Sequence, residues 1–180
     1  MPGAQDIGGQ FAYKDGSYRM MESEVFEVSL KGIHSLVIPE RYAMPFLNTV
    51  KPRVRVAAEF EGKSIAFHAA LQKYRGRYMI TFGKRYQKEL GVYPNDYFQL
   101  QLFEDKSKYG VDMPEELEAV LQSDKEISDI FHSFTAGRIR SLIYTIARYK
   151  NSQTRIDKSL ILAENLRKGI RDPKELFKVV

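Results

Sequence analysis

Two stretches of this chain are diverged copies of each other, and the repeat constrains the fold more than any other feature. Tyr78 to Lys106 reads as a strand, a short helix, a Gly-containing turn, a Pro-Asn-Asp turn and a second strand. Tyr78, Ile80 and Phe82 alternate with Met79 and Thr81, and Phe98, Leu100 and Leu102 alternate with Gln99 and Gln101. A period of two marks half-buried strands. In the upstream copy, Leu36 to Lys63, Ile38–Tyr42 sits over Phe82–Tyr86 at an offset of 44 residues, and Phe60–Lys63 sits over Phe103–Lys106 at 43. One residue is therefore inserted or deleted between the two matches.

The segments around the repeat extend the strand grammar. Phe26, Val28 and Leu30 alternate with Glu27 and Ser29, and Lys31-Gly32 turns the chain into a strand over 33–38 that stops at Pro39. Proline suits a first helical turn, so Pro39 to Phe46 is expected to form one or two turns, limited by Pro45. Val54, Val56, Ala58 and Phe60 point one way along the next strand, with Arg53, Arg55 and Glu59 opposite. Glu61-Gly62 and Arg75-Gly76 are two-residue hairpin signals. About six short strands joined by hairpins predict a small closed β-barrel built from the two repeats over residues 22–106. Residues 1–21, with four glycines, are expected to be a flexible tail, and Met20-Met21 offers a second start.

Near residues 106–112 the grammar changes, and a helical domain is expected over 112–180, making the chain α+β. Pro114 opens a helix with acidic residues in its first turn. Ile127, Ile130, Phe131 and Phe134 form one apolar stripe, and Ile139, Leu142, Ile143 and Ile146 form another behind the N-cap Thr135. Ser152 or Thr154 starts a last helix, read with Ile156, Leu160, Ala163 and Leu166 inward and Gly169 as its stop. Charge is split across this domain. Residues 112–134 carry seven acidic and one basic side chain, and 135–180 carry eleven basic and four acidic. Pairing of acidic with basic helices is the plain expectation.

The absence of cysteine excludes disulfides and thiolate chemistry. His34, His68 and His132 are far apart in sequence and lack partners at ligand spacing, so neither a metal nor another cofactor is expected. There is no nucleophile elbow, no P-loop and no dinucleotide fingerprint. The adjacent carboxylates Glu115-Glu116 and Glu104-Asp105 suit caps and turns better than an acid/base pair. The chain is therefore not expected to be an enzyme. No apolar run is long enough for a membrane span, and the polar N-terminus carries no visible secretory leader, so a cytoplasmic protein is expected.

A net charge of +5 favours acidic partners. Lys73-Tyr74-Arg75-Gly76-Arg77 is a hairpin tip with three cations and an aromatic ring. Lys84 and Arg85 begin the short helix beyond the next strand, and Arg53 and Arg55 line the outer face of another. These seven cations are the candidate nucleic-acid or anion contacts. Residues 22–106 hold thirteen basic and ten acidic side chains, a weak excess for a dedicated nucleic-acid binder. Arg148, Lys150, Arg155 and Lys158 form a second basic cluster at the break between the last two helices.

Residues 79–105, MITFGKRYQKELGVYPNDYFQLQLFED, resemble the strand, basic helical turn and Pro-x-Asp pattern of AbrB/MraZ-like swapped-hairpin proteins, through Leu90-Gly91, Pro94 and Asp96. That resemblance implies a double-split barrel, which two copies in one chain would close as a monomer, and relatives that use basic barrel loops on DNA. Residues 112–170 resemble the helical YdeI/OmpD-associated, bacteriocin-protection family. The resemblance rests on MPEEL at 113–117, Phe131 and Phe134, the Arg138–Lys150 helix, Thr154-Arg155, Lys158 and Gly169. Leu142 and Thr145 stand where that family's pattern has aromatics. This implies a non-enzymatic interaction protein linked to bacteriocin or envelope-stress tolerance, with a protein partner bound by the helical domain. Nucleic-acid binding through the basic loops is the alternative.

Overall fold

In the computed structural model, residues 5–7, 10–12, 18–19 and 21–179 are described, and the chain forms two compact units, 1–106 and 107–180. In the first unit, β1 (Gln5–Ile7), β2 (Gln10–Ala12) and β3 (Tyr18–Arg19) pair in order as a small antiparallel sheet. The rest of 1–20, where the flexible tail is expected, lies outside the described residues. Met21 is buried, and its carbonyl accepts from Glu104 N.

The two copies supply strands to two further sheets. β4 (Phe26–Ser29), β6 (Arg53–Phe60), β7 (Lys63–Ala70) and β10 (Tyr97–Glu104) form one in the order β4-β10-β6-β7. β5 (Ser35–Ile38), β8 (Gln72–Tyr74) and β9 (Arg77–Thr81) form the other in the order β5-β9-β8. Equivalent strands of the two copies are direct partners: β5 pairs antiparallel with β9, and β6 with β10. From outside the repeat, β4, β7 and β8 complete the two sheets. Leu36 sits opposite Ile80, its own counterpart at the offset of 44. Two hairpin turns place Glu61-Gly62 and Arg75-Gly76 at positive φ (47° and 78°, 48° and 76°), the backbone of a type I′ turn.

The sheets are open, which corrects the expected closed barrel and its closure by one chain. A closed barrel needs a continuous ladder on both sides. On one side, β7 passes through Leu71, whose amide bonds Pro52 O, and continues as β8 on the edge of the other sheet. On the other side, Gly32 (φ 98°) bends the chain, and among the described residues a single ladder bridge, Leu30 to Leu36, links the β4 and β5 segments. The two sheets nevertheless share one core. Val54, Val56, Phe67, Leu100 and Leu102 from the first meet Leu36, Ile38 and Ile80 from the second. Phe82 leads into α2 (Lys84–Leu90) and packs with Phe67 and Phe98 at ring separations of 5.6 and 5.4 Å. Gly91 ends α2 in the left-handed conformation, and Asp96 closes the following turn by accepting from Tyr93 N. α1 (Glu40–Ala43) and a 3₁₀ turn over Met44–Phe46 fill the Pro39–Pro45 segment, as their prolines require.

The second unit holds α3 (Glu115–Ser123), α4 (Lys125–His132), α5 (Ala136–Ala147) and α6 (Ser152–Arg167) around a core of its own. Asp124, Thr135 and Asn151 cap α4, α5 and α6 by accepting from the backbone three residues on. The inward face of α6 differs from expectation. Leu160 is 53% exposed, and Ser159, Leu162, Ala163 and Leu166 face the core. Ser159 breaks the apolar stripe in the sequence but is satisfied in place, donating to Arg155 O at 2.7 Å. Asn165 is fully buried in the same way, donating to the carbonyls of Glu175, Leu176 and Lys178.

Candidate functional site

The basic cluster expected between α5 and α6 divides into structural and free cations. Arg155 Nε donates to Glu116 Oε2 at 2.9 Å, and its Nη2 donates to Oε1 at 2.7 Å, a bidentate pair joining α6 to α3. Its Nη1 caps the end of α5 by donating to the carbonyls of Tyr149 and Lys150. Ser152 Oγ completes the site by donating to Glu116 Oε1 at 2.6 Å. Lys158 Nζ donates to Phe177 O. Arg155 and Lys158 are therefore engaged within the unit, whereas Arg148 and Lys150 stay exposed. The acidic and basic helices pair as expected at two places, Glu116–Arg155 and Asp124–Arg167.

Those donors hold the Glu116 carboxyl down to about 2, Arg155 first and Ser152 second. A depressed acid contributes stability that is present above its ordinary value of 4.5 and lost as pH falls through the folded value. The helical unit should therefore lose support between about pH 4.5 and pH 2. Glu116→Gln is expected to lower stability at neutral pH and to flatten that acid dependence, read by helical circular dichroism across the pH range. Equal acid profiles for both proteins would show that the clamp contributes nothing.

On the outer side of α5, sequence periodicity places Gly137, Arg140, Ser141, Tyr144, Thr145 and Arg148 on one face, opposite the buried Ile139, Leu142, Ile143 and Ile146. These six line a groove of about 450 Å³ that contains no carboxylate. Arg140 and Arg148 are eight residues apart, about 12 Å along the helix, with Tyr144 midway and 40% exposed. Arg140 Nη1 is steadied by Tyr109 O at 3.1 Å, and Arg148 rests over Tyr149 and donates to its hydroxyl. That contact draws the Tyr149 hydroxyl below its usual range. Arg140 and Tyr144 were not among the expected site residues. The signal lay in the polar complement of the helix's apolar stripe, where two arginines flank a tyrosine at one-turn spacing.

A second cleft, of about 380 Å³, has Tyr109 and His132 in its wall, with apolar sides from Val111, Met113 and Leu121. The Tyr109 hydroxyl lies 2.5 Å from His132 Nδ1, with the rings stacked. Burial, and then the cation of Lys108, lower the His132 pKa, which favours the neutral ring.

In the first unit the seven expected contacts do not form one patch. Lys73, Arg75 and Arg77 share the exposed β8–β9 hairpin. Lys84 and Arg85 lie beyond the far end of β9, about 17 Å of strand away. Arg53 and Arg55 belong to the other sheet, where Arg55 is opposite His68 on β7 and Phe103 on β10. The structure also pairs residues that spacing kept apart: His68 Nδ1 lies 3.0 Å from Asp105 Oδ2, with side chains only 8% and 3% exposed. Among the described residues, no three His, Asp or Glu side chains gather as a metal-ligand set. Also among the described residues, no helix is long and apolar enough to cross a membrane.

The molecule is thus an α+β chain whose helical unit carries a basic, aromatic helix face beside an internal acidic–basic clamp. Residues 110–169 match the family described as "Bacteriocin-protection, YdeI or OmpD-Associated". The match contains both sides of the clamp and the whole α5 face. No curated protein and no solved structure matches the chain.

Proposed function

We propose that this chain is a non-enzymatic interaction protein of the bacteriocin-protection type, whose helical unit docks an acidic segment of a partner protein on the outer face of α5. The observation that carries this reading is the carboxylate-free groove in which Arg140 and Arg148 flank the exposed Tyr144. Arginine forks match carboxylates, and tyrosine supplies contact area at low entropy cost, a pairing typical of interface anchors. The family description supports a protective role exercised through association with another protein. The basic half of the unit, at +7, is nearly balanced by the acidic half, at −6, so what favours an acidic partner is the grouping of cations on the α5 face and not net charge.

Reversing both arginines, Arg140→Glu with Arg148→Glu, removes two charge-assisted contacts of about 1.5–3 kcal/mol each. Docking should weaken on the order of 100-fold or more. Bacteria producing the double variant should be killed by bacteriocin as readily as cells lacking the protein, while its helix content stays unchanged. Full protection by the double variant would overturn the reading.

A further inference from the structure

The hairpin joining β8 and β9 is not used by the helical unit's docking face, and its arrangement has a chemistry of its own. Register sets Tyr74 directly opposite Arg77, and Lys73 opposite Tyr78. Side chains alternate across a strand, so Tyr74 and Arg77 share the outward face while the Tyr78 ring turns into the core. Arg75 rests 5.2 Å from the centre of the Tyr74 ring, and Lys73 Nζ lies 5.3 Å over the Tyr78 ring. Both cations are therefore held against rings rather than waving free. Tyr74 remains 59% exposed. Lys73, Arg75 and Arg77 belong to no ion pair among the described residues.

We infer that this hairpin tip is a contact for single-stranded nucleic acid, with Arg75 and Arg77 on neighbouring phosphates, a base stacked on the open side of Tyr74, and Lys73, which register sets on the opposite face beside Tyr78, reaching the backbone around the β8 edge. An exposed ring among unpaired cations is the arrangement by which sequence-tolerant single-strand binders work. An acidic peptide would engage the same cations and use the ring only as contact area, so poly-glutamate is the competitor that tells it from a stacked base. A membrane surface would call for apolar side chains at the tip, and the two turn residues are Arg75 and Gly76. Duplex DNA hides its base faces, so it could engage the cations alone.

The test is fluorescence anisotropy of the full chain with labelled oligo(dT) and oligo(U), a duplex of equal length, and unlabelled poly-glutamate and anionic phosphatidylglycerol vesicles as competitors. Tyr74→Ala should weaken single-strand binding roughly tenfold and leave the salt slope unchanged. A triple variant, Lys73→Gln, Arg75→Asn and Arg77→Gln, keeps a residue tolerant of the left-handed turn at position 75. It should reduce the slope of log K against log salt by about 2. Binding to neither strand, a triple variant that binds like the parent, or an unchanged affinity in Tyr74→Ala would each overturn the inference. Poly-glutamate or vesicles competing as well as an unlabelled strand would do the same and assign the tip to an acidic peptide or a lipid surface. None of these outcomes depends on Arg140 or Arg148, so the hairpin and the α5 face can fail separately.

Discussion

Phe131→Ala is expected to unfold the helical unit and leave the sheets folded. Phe131 has no exposed surface and sits in a core shared with Leu117, Ile127, Ile143, Ile146 and Leu166, which contains no residue of the first unit. Truncating a buried phenylalanine costs about 3–5 kcal/mol, counting both lost transfer energy and the cavity left behind. Small domains are stabilised by about 5–15 kcal/mol, and a unit this short belongs near the lower end. One substitution thus removes most of the margin. Hydrogen exchange read by mass spectrometry should show amides of α3–α6 losing protection while those of β6, β7 and β10 keep theirs. Phe82→Ala should give the converse, because Phe82 packs with Phe67 and Phe98 in the other core. Simultaneous loss in both units from either variant would mean that the chain folds as one cooperative body.

The sequence features that proved legible were those fixed by local periodicity. Alternation along 53–60 and 97–104 locates β6 and β10, and the glycines at 62, 76 and 91 locate turns because only a left-handed backbone closes them there. The repeat is legible in the sequence, but that its equivalent strands are direct partners shows only in the structure. Closure was not legible, because it depends on how β7 leaves its sheet at Leu71 and on how the chain bends at Gly32 between β4 and β5, and neither shows in the alternation of side chains. In the helical unit, apolar spacing finds α4 and α5 but misplaces the inner face of α6, where Ser159 and Asn165 occupy core positions. Polar side chains can do so only when tertiary partners satisfy them.

The same limit governs the candidate sites. Arg155 stands out in the sequence as a cation beside Thr154, but its role is set by Glu116, 39 residues away. Asp105 looks like half of an adjacent carboxylate pair and proves to be the partner of His68, 37 residues away. Cations assigned by composition therefore sort only after folding into those spent on internal acceptors and those left facing solvent. Arg148 and the three hairpin cations fall in the second group, and Arg140, half-buried with one nitrogen on Tyr109 O, lies between the two. Charge left unpaired on a fixed scaffold is available for a partner, which is why both binding proposals rest there.

Asn165→Asp should be among the most damaging isosteric changes in the chain. Asn165 is 1% exposed, and its Nδ2 faces three carbonyl oxygens, of Lys178 at 2.8 Å, Leu176 at 3.1 Å and Glu175 at 3.2 Å. Those bonds fold the C-terminal turns back so that Leu176 enters the core with no exposed surface. An aspartate has the same shape but no donor when ionised, so its oxygens would meet carbonyl oxygens. Leaving buried acceptors unpaired costs about 1–3 kcal/mol, and a buried charge adds to that. Burial would raise the new carboxyl's pKa above its unfolded value, so stability would be greatest below the unfolded pKa and fall as pH rises through the folded one. The variant should therefore melt lower than the parent at neutral pH and recover part of the loss in mild acid, above the range where Glu116 protonates. Asn165→Leu separates the contributions, since it removes the donor without adding charge and should be destabilised to a similar degree at every pH. If Asn165→Asp melts with the parent, the three bonds do not hold the C-terminal turns. If its loss is as large in mild acid as at neutral pH, charge is not the cause.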